Sequence, residues 1–173
     1  MRVLITGATG YIGSAIVSEL IAAGHQVTGL ARSDASSEAL IAAGAAVARG
    51  SLDDLAALRA GAASADGVIH AAFTNVSPTT DFAAACQADV AAISALGAGL
   101  EGTGKPLVIT SGTGLVGVPG RAATEEDLAN WGPRVAGEER HSRSPAVECA
   151  SPSPACRCRS TTGRPTTTGS SPP

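Results

Sequence analysis

The sequence TGATGYIG at residues 6–13 directly follows the apolar run VLI at residues 3–5. Branched apolar residues without polar alternation are typical of a strand that is buried on both faces of a parallel sheet. After the glycines, apolar residues recur at Ile12, Ile16 and Leu20, which is the spacing of an amphipathic helix. The opening of the chain therefore predicts a strand, a glycine turn and the start of a helix.

The three glycines of this stretch have separate expected roles. Gly7 lets the backbone turn sharply, Gly10 lets a pyrophosphate approach without meeting a Cβ atom, and Gly13 lets the helix pack closely on the sheet. Phosphates would then lie on free N–H groups at the positive end of the helix dipole. A tight turn without a ligand is the alternative. The position between a first strand and a helix favours a dinucleotide site.

The spacing G-x-x-G-x-x-G resembles the cofactor fingerprint of the extended and atypical short-chain dehydrogenase/reductases, often called NAD-dependent epimerase/dehydratases. The resemblance implies an α/β fold with a doubly wound, Rossmann-like parallel sheet, of which about five strands are present. It also implies a group of cofactor contacts within the opening stretch: Gly7, Thr9, Gly10, Tyr11, Ile12 and Gly13.

The end of the second strand, predicted over residues 26–30, should meet the adenosine ribose. An acidic residue there favours NAD, whereas an Arg pairs with the 2′-phosphate of NADP. The sequence offers Arg32 and Ser33, and Asp34 is expected to begin the next helix, over residues 35–44. NADP is therefore favoured over NAD, although an Arg in a solvated turn would give the same sequence.

A third strand over residues 46–48 leads to Gly50, Ser51 and Leu52. This segment resembles the family's Gly-Asp-Leu segment, which contacts the adenine ring, with Ser51 in place of the Asp. The resemblance implies that the hydroxyl of Ser51 and the backbone of Leu52 contact adenine. Asp53 is interpreted as the N-cap of a helix over residues 54–61.

Residues 67–73 predict the fourth strand and its exit. The resemblance implies that Ala71 and Ala72 leave room for the ribose and nicotinamide. His70 could act as an acid or base, but we expect a strand histidine whose ring is satisfied by the backbone. No carboxylate lies at a sequence spacing that would orient it.

Residues 107–114 predict the fifth strand and the loop that leaves its carboxyl end. Ligands of open α/β sheets bind at that end, so Thr110 and Ser111 should face the same site as the glycine turn. Thr110 is a predicted cofactor contact. The family resemblance makes Ser111 the candidate for holding the substrate oxygen, and the alternative is a serine that caps a turn.

The typical family members use a Tyr-x-x-x-Lys pair on the helix after the fifth strand as proton donor. This chain has one tyrosine, Tyr11, and one lysine, Lys105, and the expected region reads WGPRVAG at residues 131–137. Neither residue is placed to form the pair. The resemblance implies an NADP-dependent oxidoreductase, and without this pair we expect the chain to reduce carbonyl substrates slowly or not at all.

Apolar residues recur at helical spacing over residues 82–101. In the family this helix often forms a dimer contact, which implies a possible homodimer, but core packing would give the same pattern. Cys86 is expected to be a small buried side chain.

We expect no membrane-spanning stretch and a cytoplasmic protein. Residues 124–127 resemble a capping box that opens a short helix through Trp131.

The composition divides the chain near residue 139. Residues 1–139 carry 7 Lys and Arg against 14 Asp and Glu, a net charge of −7, whereas residues 140–173 carry 5 Arg and one Glu, a net charge of +4. The second part is rich in Arg, Pro, Ser and Thr and poor in large apolar residues, so we expect a disordered tail after a Rossmann domain over residues 1–139. A change of reading frame near Glu139 would explain this change in composition and charge. The sequence after it shows no pattern that resembles the family's substrate lobe.

The tail supports neither a metal site nor specific nucleic-acid binding. Cys149, Cys156 and Cys158 lack the paired C-x₂-C spacing of zinc sites. The arginines are scattered, with no aromatic residues to stack bases. Two functions remain: an oxidoreductase acting on a small carbonyl or alcohol, and a dinucleotide-binding module without turnover, such as a redox sensor or a truncated remnant.

Overall fold

The computed structural model describes residues 1–74, 81–124, 127–130 and 132–137. Within these residues the chain forms a five-stranded sheet in the order β3-β2-β1-β4-β5, and all neighbouring strands are parallel. The predicted doubly wound, Rossmann-like α/β fold is confirmed. The strands are β1 Arg2–Thr6, β2 Gln26–Ala31, β3 Ala46–Arg49, β4 Gly67–His70 and β5 Leu107–Ile109.

Helices cover both faces of the sheet. Because successive side chains of a strand point to opposite faces, neighbouring β1 residues enter different cores. Ile5 packs in the cluster that contains Val17 of α1 and Leu40 of α2, while Leu4 packs in the cluster that contains residues of α3 and α4. The helices are α1 Tyr11–Ala22, α2 Asp34–Ala42, α3 Leu55–Ser64 and α4 Phe82–Leu100.

The buried face of α1 differs from the expected one. The fully buried residues are Gly13 and Val17, whereas Ile12 is 53% exposed. Ile16 and Leu20 pack against the core only in part. The reason is the close packing of Gly13, where a Cβ atom would overlap the Gly7 carbonyl, so the buried face of α1 contains Gly13 and not Ile12.

Most element boundaries follow the predicted turn chemistry. α1 and α2 end before Gly24 and Gly44, which have φ values of +80° and +83°. The start of α3 was predicted one residue too early. Asp54, not Asp53, is the N-cap, and its Oδ1 accepts a hydrogen bond of 3.0 Å from the Ala57 amide. The Asp53 amide instead donates to the Ser51 hydroxyl.

α4 packs tightly against α3, as expected for helices built from small residues. A Cβ atom on Gly99 of α4 would collide with the Arg59 carbonyl oxygen and lie 2.8 Å from the Ala62 Cβ.

The expectation that no stretch is long and apolar enough to span a membrane was wrong: by length and composition alone α4 is, with 19 residues and a mean hydropathy of 1.4. Its buried face is part of the core between α3 and the sheet, which explains the apolar sequence.

The segment after β5 does not contain the predicted helix within residues 127–130. Instead the Asp127 carboxylate accepts hydrogen bonds from the Thr124 amide and hydroxyl, at 2.8 and 3.2 Å, and forms an ion pair with Arg121. The acidic partner of the predicted box is present, but it closes a turn. Trp131 and the predicted tail, residues 140–173, lie outside the described residues.

Candidate functional site

The order of the strands places a crevice between β1 and β4. The chain proceeds outward from β1 to β2 and β3 and then returns to the other side of β1 with β4, so the strand order reverses between β1 and β4. Open α/β sheets bind ligands outside the carboxyl ends of the strands at such a switch point. The predicted site residues follow the carboxyl ends of five parallel strands and therefore lie along one edge of the sheet.

Gly7 brings the exit of β1 against the exit of β4. Its φ is +70°, and a Cβ atom there would lie 2.7 Å from the Ala71 carbonyl oxygen and 2.7 Å from the Ala72 backbone. The Ala71 amide donates to the Thr6 carbonyl oxygen at 3.1 Å. Only glycine fits this close approach, and Ala71 and Ala72 lie directly against the glycine turn.

Gly10 and Gly13 differ in what a side chain would meet. A Cβ atom on Gly13 would overlap the Gly7 carbonyl, whereas one on Gly10 would meet only the Gly7 oxygen, at 3.2 Å. The surface of Gly10 is therefore open, and a Cβ atom would occupy the path of an approaching ligand. The turn itself is closed by the Gly10 amide, which donates to the Gly7 oxygen at 2.9 Å.

The N-terminus of α1 has the donors that an anion requires. Gly10 is its N-cap and supplies no side-chain hydrogen bond. The first amides of a helix have no intrahelical acceptors, and the helix dipole adds partial positive charge. Thr9 and Ile12 are exposed and Tyr11 is 97% exposed, so nothing in the described structure covers this end. A pyrophosphate fits these donors and the open surface of Gly10.

Two arginines lie where β2 and β3 end. Arg32 is exposed at the tip of β2. Arg49, which the sequence reasoning missed, is the last residue of β3 and pairs in register with Ala31. Its guanidinium donates to the Asp34 carboxylate at 2.6 Å and to the Ser37 hydroxyl at 2.7 Å. The carboxylate of Asp34, at the start of α2, is therefore paired with a cation.

The other predicted adenosine contacts have partners within the chain. Ser33 is the N-cap of α2, and its hydroxyl accepts from the Ser36 amide at 3.2 Å. The Ser51 hydroxyl accepts from the Asp53 amide at 3.2 Å. Leu52 is half-buried and packs against the core formed with α3 and α4. These contacts fix the backbone at the ends of β2 and β3.

His70 differs most from the expectation. Its ring is buried and contacts side chains, not the backbone: Nδ1 lies 2.6 Å from the Thr6 hydroxyl and Nε2 lies 3.0 Å from the Asp89 carboxylate. The statement that no carboxylate orients His70 was wrong, because α4 brings Asp89 to β4 from 19 residues away. The available signal was an ionisable residue on the apolar face of a predicted helix.

Arg134 is a second residue that the sequence reasoning missed. Its guanidinium donates to the Thr110 carbonyl oxygen at 3.2 Å, and its Nε lies 3.8 Å from the second carboxylate oxygen of Asp89. Its Cζ lies 4.3 Å from the centre of the Phe73 ring, within the range of a cation–π contact. Arg134 thus joins the exits of β4 and β5 to α4.

The β5 exit has one residue turned inward and one exposed. The amide and the hydroxyl of Thr110 both donate to the His70 carbonyl oxygen, at 3.0 and 3.3 Å. Ser111 follows and is exposed at the carboxyl edge. Lys105 lies at the opposite edge, where its Nζ donates to the Ala65 carbonyl oxygen at 2.7 Å. Tyr11 lies at the start of α1.

Cys86 is buried beside the Asp89 carboxylate, as expected for a small core side chain. Burial raises the pKa of the Cys86 thiol, and the negative charge of Asp89 raises it further, while Arg134 acts in the opposite direction. The thiol is therefore held in its protonated form at neutral pH. A protonated, buried thiol is a poor nucleophile and a poor metal ligand.

Comparisons with known proteins agree with the fold described above. The model of the NAD dependent epimerase/dehydratase family matches residues 3–136. An uncharacterised protein of Schizosaccharomyces pombe is 45% identical over 125 residues, which are 72% of this chain and 42% of that protein. A 4-hydroxy-2-methyl-3-oxo-4-farnesyl-3,4-dihydroquinoline-1-oxide ketoreductase of Stigmatella aurantiaca is 36% identical over 81 residues, 47% of this chain and 24% of the enzyme.

Among solved structures, the enzyme WbmG of Bordetella bronchiseptica, in complex with NAD and UDP, superposes with a TM-score of 0.69 at 24% identity. The match covers 84% of this chain and 50% of WbmG. The likeness concerns the fold. In each of these comparisons the chain spans half or less of the other protein's length.

Proposed function

Because the chain belongs to the NAD-dependent epimerase/dehydratase family, we propose that it is an NADP-dependent oxidoreductase acting on a small carbonyl or alcohol. The observation that carries the proposal is the open surface of Gly10 beside the uncapped N-terminus of α1. That arrangement offers backbone amides and partial positive charge to a pyrophosphate and leaves no Cβ atom in the way.

Residues along the carboxyl edge of the sheet would hold the rest of the cofactor. The nicotinamide supplies or accepts a hydride when it is bound, and the protein positions it. The small side chains of Ala71 and Ala72 would lie against the ribose and nicotinamide, and Thr110 would contact the cofactor at the neighbouring strand exit. Ser51 and Leu52 would contact adenine at the end of β3.

The preference for NADP rests on charge at the end of β2. The exposed Arg32 can pair with a 2′-phosphate, and Ser33 lies beside it at the N-terminus of α2. NAD-specific sites place a carboxylate on the 2′-hydroxyl. The carboxylate nearest this position, Asp34, is bound to Arg49. A 2′-phosphate would therefore meet the cation of Arg32, whereas a bare ribose would need the Asp34 carboxylate that Arg49 already binds.

On the substrate side, the exposed hydroxyl of Ser111 would donate a hydrogen bond to the substrate oxygen. Carbonyl reduction also needs a proton donor, and the sequence holds no Tyr-x-x-x-Lys pair. General acid catalysis contributes about 10²–10⁴-fold to a rate. We therefore propose slow turnover by the 173-residue chain. The resemblance to the Stigmatella aurantiaca ketoreductase makes ketones the first substrates to test.

A fluorescence titration with NADPH and NADH tests the cofactor assignment. We expect the chain to bind NADPH at least about tenfold more tightly, because a charge-assisted hydrogen bond contributes roughly 1.5–3 kcal/mol. Arg32→Ala should remove most of that preference, and Arg59→Ala, an exposed arginine on α3, should leave it unchanged. Equal affinities for the two cofactors would refute NADP specificity.

An NADPH-oxidation assay across aldehydes, ketones and sugar nucleotides tests the reaction. Ser111→Ala should lower any turnover, whereas Ser64→Ala at the end of α3 should not. Fast turnover that survives Ser111→Ala would show that a residue other than Ser111 holds the substrate oxygen.

The alternative is a dinucleotide-binding module without turnover. The missing Tyr-x-x-x-Lys pair favours it. NADPH binding with no oxidation of NADPH for any substrate in the panel would support this second function. The next measurement would then be whether bound NADPH changes the binding of other proteins to this chain.

We further propose a homodimer through the outer face of α4 and a cytoplasmic location. Support for the dimer is the part of this apolar helix that the chain does not bury, since 44% of it is buried within the chain. Sedimentation equilibrium should show a dimer that Ala91→Glu converts to monomer. A wild-type monomer at all accessible concentrations would refute the dimer. Fractionation of the producing cells would test the location.

A further inference from the structure

We propose that Arg134 and Asp89 are positioning residues of the candidate site, which fix the glycine turn through His70 and Thr6 and fix the β5 exit through Thr110. Neither residue touches the open surface of Gly10. They act through a buried chain of side chains that runs beneath the switch point. The inference rests on the proposed cofactor site, but it also makes a claim about the protein without cofactor.

The direction of the hydrogen bonds follows from the chemistry of the partners. An ionised carboxylate only accepts, so His70 Nε2–H donates to Asp89 Oδ1 across 3.0 Å. In the neutral imidazole the other nitrogen is then an acceptor, and the Thr6 hydroxyl donates to Nδ1 across 2.6 Å. With a neutral imidazole, this arrangement gives each of the three side chains a hydrogen-bond partner. The tautomer of His70 is therefore set by Asp89 and in turn sets the rotamer of Thr6.

Arg134 completes this chain at the other oxygen of Asp89. A buried carboxylate needs charge compensation, and the guanidinium Nε lies 3.8 Å from Oδ2. The groups that face the carboxylate are His70 from β4, Arg134 from the segment after β5 and Cys86 from α4 itself. Cys86 carries no charge as a thiol, so Arg134 is the permanent cation beside Asp89 in the described residues.

The inner end of the chain reaches the glycine turn directly. Thr6 is fully buried and precedes Gly7, and its carbonyl oxygen accepts from the Ala71 amide. Gly7 in turn lies against Ala71 and Ala72 with no space for a Cβ atom. Loss of the hydrogen bond between the Thr6 hydroxyl and His70 should therefore loosen the strand end that carries Gly7 and weaken its contact with the β4 exit.

The outer end reaches the substrate side. The same guanidinium donates to the Thr110 carbonyl oxygen and lies over the Phe73 ring. Ser111 directly follows Thr110, so its backbone position depends on this hydrogen bond. The glycine turn and the β5 exit are thereby coupled through one side chain, and cofactor affinity should depend on a residue outside the cofactor contacts.

The test is amide hydrogen exchange by NMR on the full 173-residue protein without cofactor. In Arg134→Met, exchange of the Ala71 amide should rise about tenfold relative to the Gly44 amide, which closes α2 by a hydrogen bond of similar length. Arg134→Lys keeps the charge and should restore part of the protection. Arg121→Met removes a surface ion pair with Asp127 and should leave the ratio unchanged. A uniform rise at all amides, or an unchanged ratio, would overturn the proposal.

A second measurement uses Thr6→Val, which is nearly isosteric and removes only the hydroxyl. We expect Thr6→Val and Arg134→Met each to weaken NADPH binding about three- to tenfold, and the double variant to lose less than the product of the two. Additive losses would contradict coupling, since distant independent sites add. If NADPH does not bind at all, the proposed function fails, while the exchange ratio still decides the positioning role. If Arg134→Met does not fold, Arg134→Lys and Thr6→Val still decide it by the same ratio.

Discussion

Three glycine-to-alanine substitutions separate the requirements of the fold from those of the cofactor. Gly7 combines a φ of +70° with backbone atoms 2.7 Å from a new Cβ. A left-handed conformation costs an L-residue about 1–2 kcal/mol. Overpacking against atoms that cannot move aside adds about 1–3 kcal/mol. We expect Gly7→Ala to lower the free energy of unfolding by about 2–5 kcal/mol in total.

The matched control for Gly7 is Gly24, which ends α1 with a φ of +80° and would place its Cβ atom in open space. Gly24→Ala should cost about 1–2 kcal/mol, the backbone part alone. Urea unfolding followed by circular dichroism measures both values. Equal losses for the two variants would refute the claim that the β1 and β4 exits are in contact.

Gly10 should respond in the opposite way. Its φ of −77° suits alanine, so we expect the free energy of unfolding to change by less than about 1 kcal/mol. The new methyl group occupies the pyrophosphate approach and should weaken NADPH binding by about tenfold or more, the equivalent of one lost charge-assisted hydrogen bond. Unchanged affinity in Gly10→Ala would refute the assigned position of the pyrophosphate.

Three further predictions follow from buried and paired groups. Asp89→Ala should lower the free energy of unfolding by about 3–5 kcal/mol in urea denaturation, because it leaves buried partners uncompensated, whereas the N-cap variant Asp81→Ala should cost about 0.5–2 kcal/mol. Cys86 should react with a thiol reagent only on unfolding; fast reaction in the native state would contradict its burial. The hydrogen bond from Arg2 lowers the pKa of Asp66 to about 2, so its stabilising effect is complete above the ordinary pKa of about 4 and is lost as pH falls toward 2. Acid titrations of melting temperature should show a larger loss in wild type than in Asp66→Asn.

The sheet could be predicted from the sequence because each of its elements has a signal in its own few residues. The glycine turn, the apolar strands and the glycines that end α1 and α2 each act within a few residues of themselves. The wrong N-cap of α3 is also a local matter, because two adjacent aspartates could each have capped the helix. The Asp53 amide donates to the Ser51 hydroxyl, and the Asp54 carboxylate accepts from the Ala57 amide, so Asp54 is the N-cap.

The buried chain of the candidate site was not predicted, because its members are far apart in sequence. Thr6 and His70 are 64 residues apart and meet only because β1 pairs with β4 in a particular register. Asp89 lies in the stretch 82–101, whose apolar residues recur at helical spacing. A carboxylate on such a face requires buried partners, which was the one signal that could have led to His70. Arg134 gave no comparable signal, since arginines in loops are common.

The position of the cofactor is most directly tested by an NMR titration of ¹⁵N-labelled protein with NADP⁺. We expect chemical-shift changes at the amides of residues 7–13, at Arg32 and at Ala71 and Ala72, which lie along the carboxyl edge of the sheet. The amides of Gly24 and Lys105, at the opposite edge, should not shift. Saturable shifts at the opposite edge, or no shifts at the glycine turn at millimolar NADP⁺, would contradict a dinucleotide site at the switch point between β1 and β4.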